Sequence, residues 1–160
     1  MRFRHRADQA PRHPDMVVTG TVSEEDKWDI LAGACAMVTP SAYESFSLVL
    51  LESWTVDVPV LVNAACAATM EHVGRSGGGL WFDSFRSFEA AVDRLTSDAV
   101  LRGRLAAAGH GYTARHYRWP ALIDRYTSFL EEVVARGHRT PLRTERLELP
   151  AGGPAYVRKG

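Results

Sequence analysis

TPSAYESFSLVLLESW, residues 39–54, runs from the end of an apolar stretch through a polar loop into a helical pattern. Residues 35–39, just before and into it, have the length and β-branched character of a buried strand, which Pro40 closes. The loop Ser41-Ala42-Tyr43-Glu44 leads to Ser45, which reads as the N-cap of a helix over 45–56. Strand, short loop and helix make half of a βαβ unit, and the alternation recurs outward. Apolar runs at 16–19, 58–63 and 79–82 are bounded by Gly, Pro, Asn or Asp. Helical patterns cover 23–33, 67–73, 87–96, 98–116 and 119–136. Ser23, followed by Glu24, Glu25 and Asp26, is a cap with acids in the first turn. The order predicts an α/β fold: an incomplete Rossmann-like parallel sheet of about four strands, helices on both faces, and C-terminal helices. The expected strand order is 16–19, 35–39, 58–63, 79–82. In it, 16–19 pairs directly with 35–39 through a right-handed crossover; a partner chain beside 35–39 is the alternative.

The chain is 160 residues long, which is one domain. Residues 1–15 are read as a mobile basic arm and 138–160 as a mobile tail, leaving 16–137 as the organised part. Lys plus Arg number 19 and Asp plus Glu 19, so no net field gathers nucleic acid. The two cysteines form neither a disulfide framework nor a CxxC pair. Cys35 and Cys66 both read as buried free thiols, which fits a reducing compartment. No apolar run is long enough for a membrane span, and the basic start has no apolar stretch behind it. The expectation is a cytoplasmic protein.

Ligands of parallel sheets bind beyond the carboxyl ends of the strands. That directs attention to 20–22, 40–47, 64–69 and 83–85. The free amides of Phe46, Ser47 and Leu48 at a helix start would form an anion site suited to a diphosphate. Glu44 stands just before that helix and Glu52 about two turns in, ~10 Å along the axis. Carboxylates there would accept from sugar and ribose hydroxyls, the two ends of a nucleotide-sugar. Two Glu at this spacing also occur on exposed faces or as caps. The Ser76-Gly77-Gly78-Gly79 run reads as a turn, not a phosphate cradle. His72, His110 and His116 are too far apart for a metal motif and read as exposed or capping residues. Without a G-x-S-x-G elbow, Ser41, Ser45 and Ser47 do not suggest a hydrolase nucleophile.

Glu44-Ser-Phe-Ser-Leu-Val-Leu-Leu-Glu52 resembles the E-x7-E motif of retaining glycosyltransferases of family 4, the group 1 glycosyl transferases, and specifically the C-terminal donor-binding domain of their GT-B fold. Four further passages resemble the family in order: 17–22; Ala36-Met-Val-Thr-Pro-Ser41; Val58-Pro-Val-Leu-Val62; and Met70-Glu-His-Val73 with Gly79-Leu-Trp-Phe82. Residues 115–126, around Trp119, resemble the start of its closing helices. The chain departs from the pattern at Ser45 and Ser47, where the family has glycine, and at Asp57, where glycine is favoured ahead of the "PV" strand.

The resemblance implies hexosyl transfer from a nucleotide diphosphate sugar with retention, without a required metal or other cofactor. Glu44 would meet the donor sugar as the catalytic-site carboxylate, and Glu52 the ribose. The donor-binding set would be Thr21, Val22, Ser41, Ser45, Phe46, Ser47, Leu48 and Glu52, with backbone near Thr21 and Val22 approaching the base. The family's first two βα units, with their cationic clamp on the leaving diphosphate, and its N-terminal acceptor domain find no counterpart here. The expectation is therefore a truncated donor domain, inactive alone, whose partners are the nucleotide-sugar and the missing acceptor domain or a companion chain. The alternative is a non-catalytic α/β remnant or partner-binding module.

Overall fold

Val60, Leu61 and Val62 are completely buried, so the strand that carries them is covered on both faces. In this computed structural model, which describes residues 13–137, three parallel strands form one sheet: β1 (Met37–Thr39), β2 (Val60–Asn63) and β3 (Gly79–Phe82). Their order is β1-β2-β3, with Met37 opposite Val60 and Val60 opposite Gly79. Six helices complete the described residues: α1 (Glu24–Ala32), α2 (Leu48–Thr55), α3 (Ala67–Ser76), α4 (Phe85–Ser97), α5 (Ala99–His116) and α6 (Trp119–Arg136). The chain divides into two compact units, Met1–Ala121 and Leu122–Gly160. The first holds the sheet and the candidate site. Apart from 13–15, the arm expected over 1–15 lies outside the described residues, as does the tail expected over 138–160.

The period-2 alternation of β2 sorts the core into two clusters. Val60 and Val62 meet Leu50, Leu51 and Trp54 of α2, Val73 of α3 and Tyr112 of α5. Leu61 meets Ala91 and Leu95 of α4 and Leu101 and Leu105 of α5. Helices thus cover both faces, as expected. Each large side chain buried this way contributes roughly 1.5–3 kcal/mol. Trp54 is the largest fully buried residue, and its Nε1–H donates to the Gly78 carbonyl at 2.8 Å. Gly109 lets α5 lie against the indole: a Cβ there would come within 2.2 Å of Trp54 Cδ1.

The fourth strand is not formed. Residues 16–19 make no ladder with β1; the Met16 amide donates to the His13 carbonyl instead, and Val17 is 85% exposed. The reason lies in α1. A crossover helix is held by an apolar face on the sheet, yet Leu31 is the only buried residue of α1. With Glu24, Glu25, Asp26, Lys27 and Asp29 in one nine-residue helix, little holds the preceding segment beside β1. The outer edge of β1 therefore has no neighbouring strand among the described residues, and Val38 is half-exposed there. Two smaller expectations also change. Helix α2 is capped at Ser47, two residues later than Ser45, and Cys35 is exposed, while Cys66 is buried as expected. No helix among the described residues is long and apolar enough to cross a membrane.

Candidate functional site

The loop from β1 to α2 lies at the carboxyl end of the sheet and is pinned at several points. Asn63, the last residue of β2, donates through Nδ2 to the Pro40 carbonyl at 2.9 Å and accepts at Oδ1 from the Ala65 amide at 2.9 Å. Ser41 turns the chain, its hydroxyl donating to the Tyr43 carbonyl at 2.9 Å. Further on, the Glu44 amide donates to the Cys66 thiol. Burial pushes that thiol's pKa up, but the hydroxyl and amide of Thr69 and the amides of Glu44 and Ala68 together carry it below the usual cysteine value.

Phe46 is the next anchor. Its ring meets His72 edge-on with centroids 5.0 Å apart, and Tyr117 at 5.6 Å. A backbone hydrogen bond also joins Phe46 to the His72 ring, whose Nδ1 lies 3.2 Å from the Tyr112 hydroxyl. The Tyr112 hydroxyl is 3.3 Å from that of Tyr117. Burial depresses the His72 pKa: it and the Arg75 charge outweigh Glu71 and the Phe46 bond. Burial, with the Tyr117 hydrogen bond, pushes Tyr112 up to about 12. The sequence places His72 as an exposed or capping residue; the structure instead buries it in this network. Its signal was present in the helical spacing, since Thr69, His72 and Val73 form the buried face of α3.

With the loop so held, the helix begins at Ser47 rather than Ser45. Ser47 is the N-cap in the left-handed region, φ 63 and ψ 71, and makes no side-chain cap. Its Oγ is buried and has no hydrogen-bond partner. The Leu50 amide donates to the Ser47 carbonyl at 3.1 Å, a tight first turn. The amides of Leu48 and Val49 sit where an α-helix provides no internal acceptor. Of the residues expected at the site, Glu44, Ser45 and Phe46 are exposed on the loop, Ser41 is half-buried, and Leu48 opens α2 exposed. Thr21 is exposed and Val22 half-buried in the segment before α1.

Glu52 is half-buried on α2, and Lys27 of α1 reaches it: Nζ lies 3.1 Å from Glu52 Oε1 and 2.7 Å from Glu24 Oε2. Hydrogen bonds to Glu24 and then Glu52 raise the lysine's pKa. Beside this pair opens a cleft of about 490 Å³ between α1, α2 and the end of α5. Leu48, Glu52 and Thr55 line its α2 wall, with Trp28 and Thr113 among the facing residues. Neither Thr21 nor Val22 lines it. Among the described residues no group of three or more His, Cys, Asp or Glu could hold a metal ion.

Three comparisons bear on this arrangement. Lipopolysaccharide core biosynthesis glycosyltransferase LpsE of Rhizobium meliloti is 29% identical over 122 residues, 72% of this chain and 36% of that protein. D-inositol 3-phosphate glycosyltransferase of Stackebrandtia nassauensis is 31% identical over 113 residues, 69% of this chain and 25% of that protein. The chain thus spans about a third or less of the length of these relatives. Sucrose-phosphate synthase of Thermosynechococcus elongatus shares the fold, with a TM-score of 0.64 at 22% identity over 74% of this chain and 30% of that one. Residues 2–112 match the family described as "Glycosyl transferases group 1", and the chain belongs to that family.

Proposed function

We propose that the chain is the donor-binding part of a retaining GT-B glycosyltransferase of family 4 and binds a nucleotide diphosphate sugar at the start of α2. The observation that carries this reading is the pinned turn at Ser47. It sets the first amides of α2, which have no acceptor inside the helix, between Glu44 and Glu52 in the chain, beside a Ser47 hydroxyl that is buried without a partner. Amides and helix dipole attract a diphosphate. Glu44 accepts from hydroxyls of the donor sugar, and Glu52 from the ribose. Acceptor-only carboxylates suit hydroxyl-rich ends and repel phosphate, which keeps the diphosphate between them. Lys27 holds Glu52 in the free chain, and ribose hydroxyls take part of its place. Transfer itself needs positive charge on the departing diphosphate and an acceptor-binding half. The relatives are three to four times longer than the matched region, and in this reading the rest of such a protein, or a companion chain, supplies both.

Calorimetric titration with UDP-, GDP- and ADP-sugars tests the reading. One of them binds, and Glu52→Ala weakens it by about 1.5–3 kcal/mol, the scale of hydrogen bonds to a charged group. Equal affinity in the variant removes the ribose from Glu52. A wild-type chain that binds none of the three refutes the donor site.

A further inference from the structure

Helix α6 buries none of its residues, although one side of it is apolar. Ile123, Tyr126, Leu130 and Val133 follow one another at intervals of three, four and three, the spacing that gathers side chains on one face of a helix. Phe129 and Val134 widen that stripe, one on each side. All six are exposed, from 44% at Leu130 to 79% at Val134. Asp124, Arg125, Glu131 and Glu132 lie off the stripe. A helix of this length is marginal in water until its apolar face is covered. The exposed apolar side chains amount to roughly 600 Å², the upper end of what a soluble monomer leaves open.

The stripe is complementary to itself. Its intervals read the same from either end, and their midpoint is Ser128. An identical helix turned end for end about that point sets Ile123 opposite Val133 and Tyr126 opposite Leu130, and Phe129 comes near its own copy. That is the isologous contact of a two-fold pair, with each side chain of the seam seated between those of the other helix. We propose that a second copy of this chain covers the stripe, α6 packing antiparallel on α6. The area sets how tightly. Over both copies it is roughly 1,200 Å², the low end of specific interfaces, so monomer and dimer exchange with concentration. The stripe belongs to the Leu122–Gly160 unit, and the proposal stands independently of the donor site.

Analytical ultracentrifugation of the full chain over a hundredfold range of concentration tests it. Wild type passes from monomer to dimer. Leu130→Asp, which sets a charge in the middle of the stripe, raises the dissociation constant about tenfold or more, and Leu130→Ala raises it less. Ser128→Asp, exposed on the opposite face of the helix, leaves it unchanged. Leu130 is exposed in the monomer, so its variants keep the wild-type urea unfolding curve at the dilute end of the range. Orientation is read by disulfide trapping with the exposed Cys35 replaced by serine. Oxidising a mixture of Ile123→Cys and Val133→Cys chains joins the two kinds to each other and neither to itself. A wild-type chain that stays monomeric throughout overturns the proposal. So does a dimer that Leu130→Asp leaves as tight as before, or that Ser128→Asp weakens as much. Disulfides between like chains overturn the antiparallel pairing.

Discussion

Replacing Ser47 by glycine is expected to stabilise the free chain. The serine occupies φ 63 and ψ 71, where a Cβ crowds its own backbone at a cost of about 1 kcal/mol relative to glycine. Its Oγ is buried with no partner, which costs a further 1–2 kcal/mol or so in lost hydration. Against these gains stands the larger backbone entropy that glycine loses on folding, about 0.5–1 kcal/mol. The balance favours Ser47→Gly by about 1–2 kcal/mol. For a cooperative unit of this size that is roughly 4–8 °C in Tm. Ser47→Ala removes the hydroxyl but keeps the Cβ at positive φ, so it gains about 1–2 kcal/mol, and glycine, which relieves the strain but loses more backbone entropy, exceeds it by no more than about 0.5 kcal/mol. Urea unfolding of the three proteins at pH 7.5, fitted with a common slope, measures the differences. If glycine is clearly less stable than alanine, the strain at the left-handed position is smaller than the entropy glycine loses. If neither exceeds serine, the buried hydroxyl is satisfied in solution and the reasoning fails at both steps.

Gly109→Ala is expected to destabilise by at least about 2–3 kcal/mol, despite a helix-propensity gain of up to about 1 kcal/mol, because the new Cβ lands on Trp54; Gly103→Ala in the same helix meets nothing within 4 Å and gains stability. A Gly109→Ala chain that melts no lower than wild type would mean that α5 does not rest on the indole. Stability is also expected to fall as pH drops below about 6.5. The buried His72 has a depressed pKa, so its contribution is present above the unfolded value and is lost as pH falls through the folded one, with a slope of at most about 1.4 kcal/mol per pH unit. Urea titrations between pH 5 and 7.5 should show that slope reduced in His72→Gln; an unchanged slope assigns the effect to other groups.

The sheet and most helices were legible because their signals are local. The run 58–63 is apolar on both alternating faces, and a strand of that kind can only be central. Asp98 and Ser84 cap α5 and α4 through their own side chains. The misread strand failed for a reason that local signals do not contain. Residues 16–19 have strand character, but a parallel neighbour must be delivered by a helix that packs on the sheet, and α1 buries one residue. Reading the burial pattern of the crossover helix as well as that of the strand would have corrected the count. Lys27 and Glu52 stand 25 positions apart, and nothing in either segment indicates that they meet.

At the site, the register of α2 was the harder problem. Ser45 and Ser47 have the same intrinsic preference for an N-cap, so cap statistics do not choose between them. The choice is made by Phe46, whose ring is held against His72 and Tyr117 from α3 and the end of α5. That anchor carries the loop past Ser45 and forces the turn at Ser47. The departures from the family's glycines report the same constraint. Ser47 and Asp57 are the two described non-glycine residues with positive φ, while Ser45 is not among them. Two of the three glycines in the pattern therefore answer to the backbone, and this chain meets that demand with side chains. Asp57 fills its left-handed position with a residue type that visits the region readily, and its carboxylate lies 2.8 Å from His110 Nδ1. Ser47 has no such compensation. Backbone strain is thus concentrated where α2 opens, in a residue whose hydroxyl is buried without a partner.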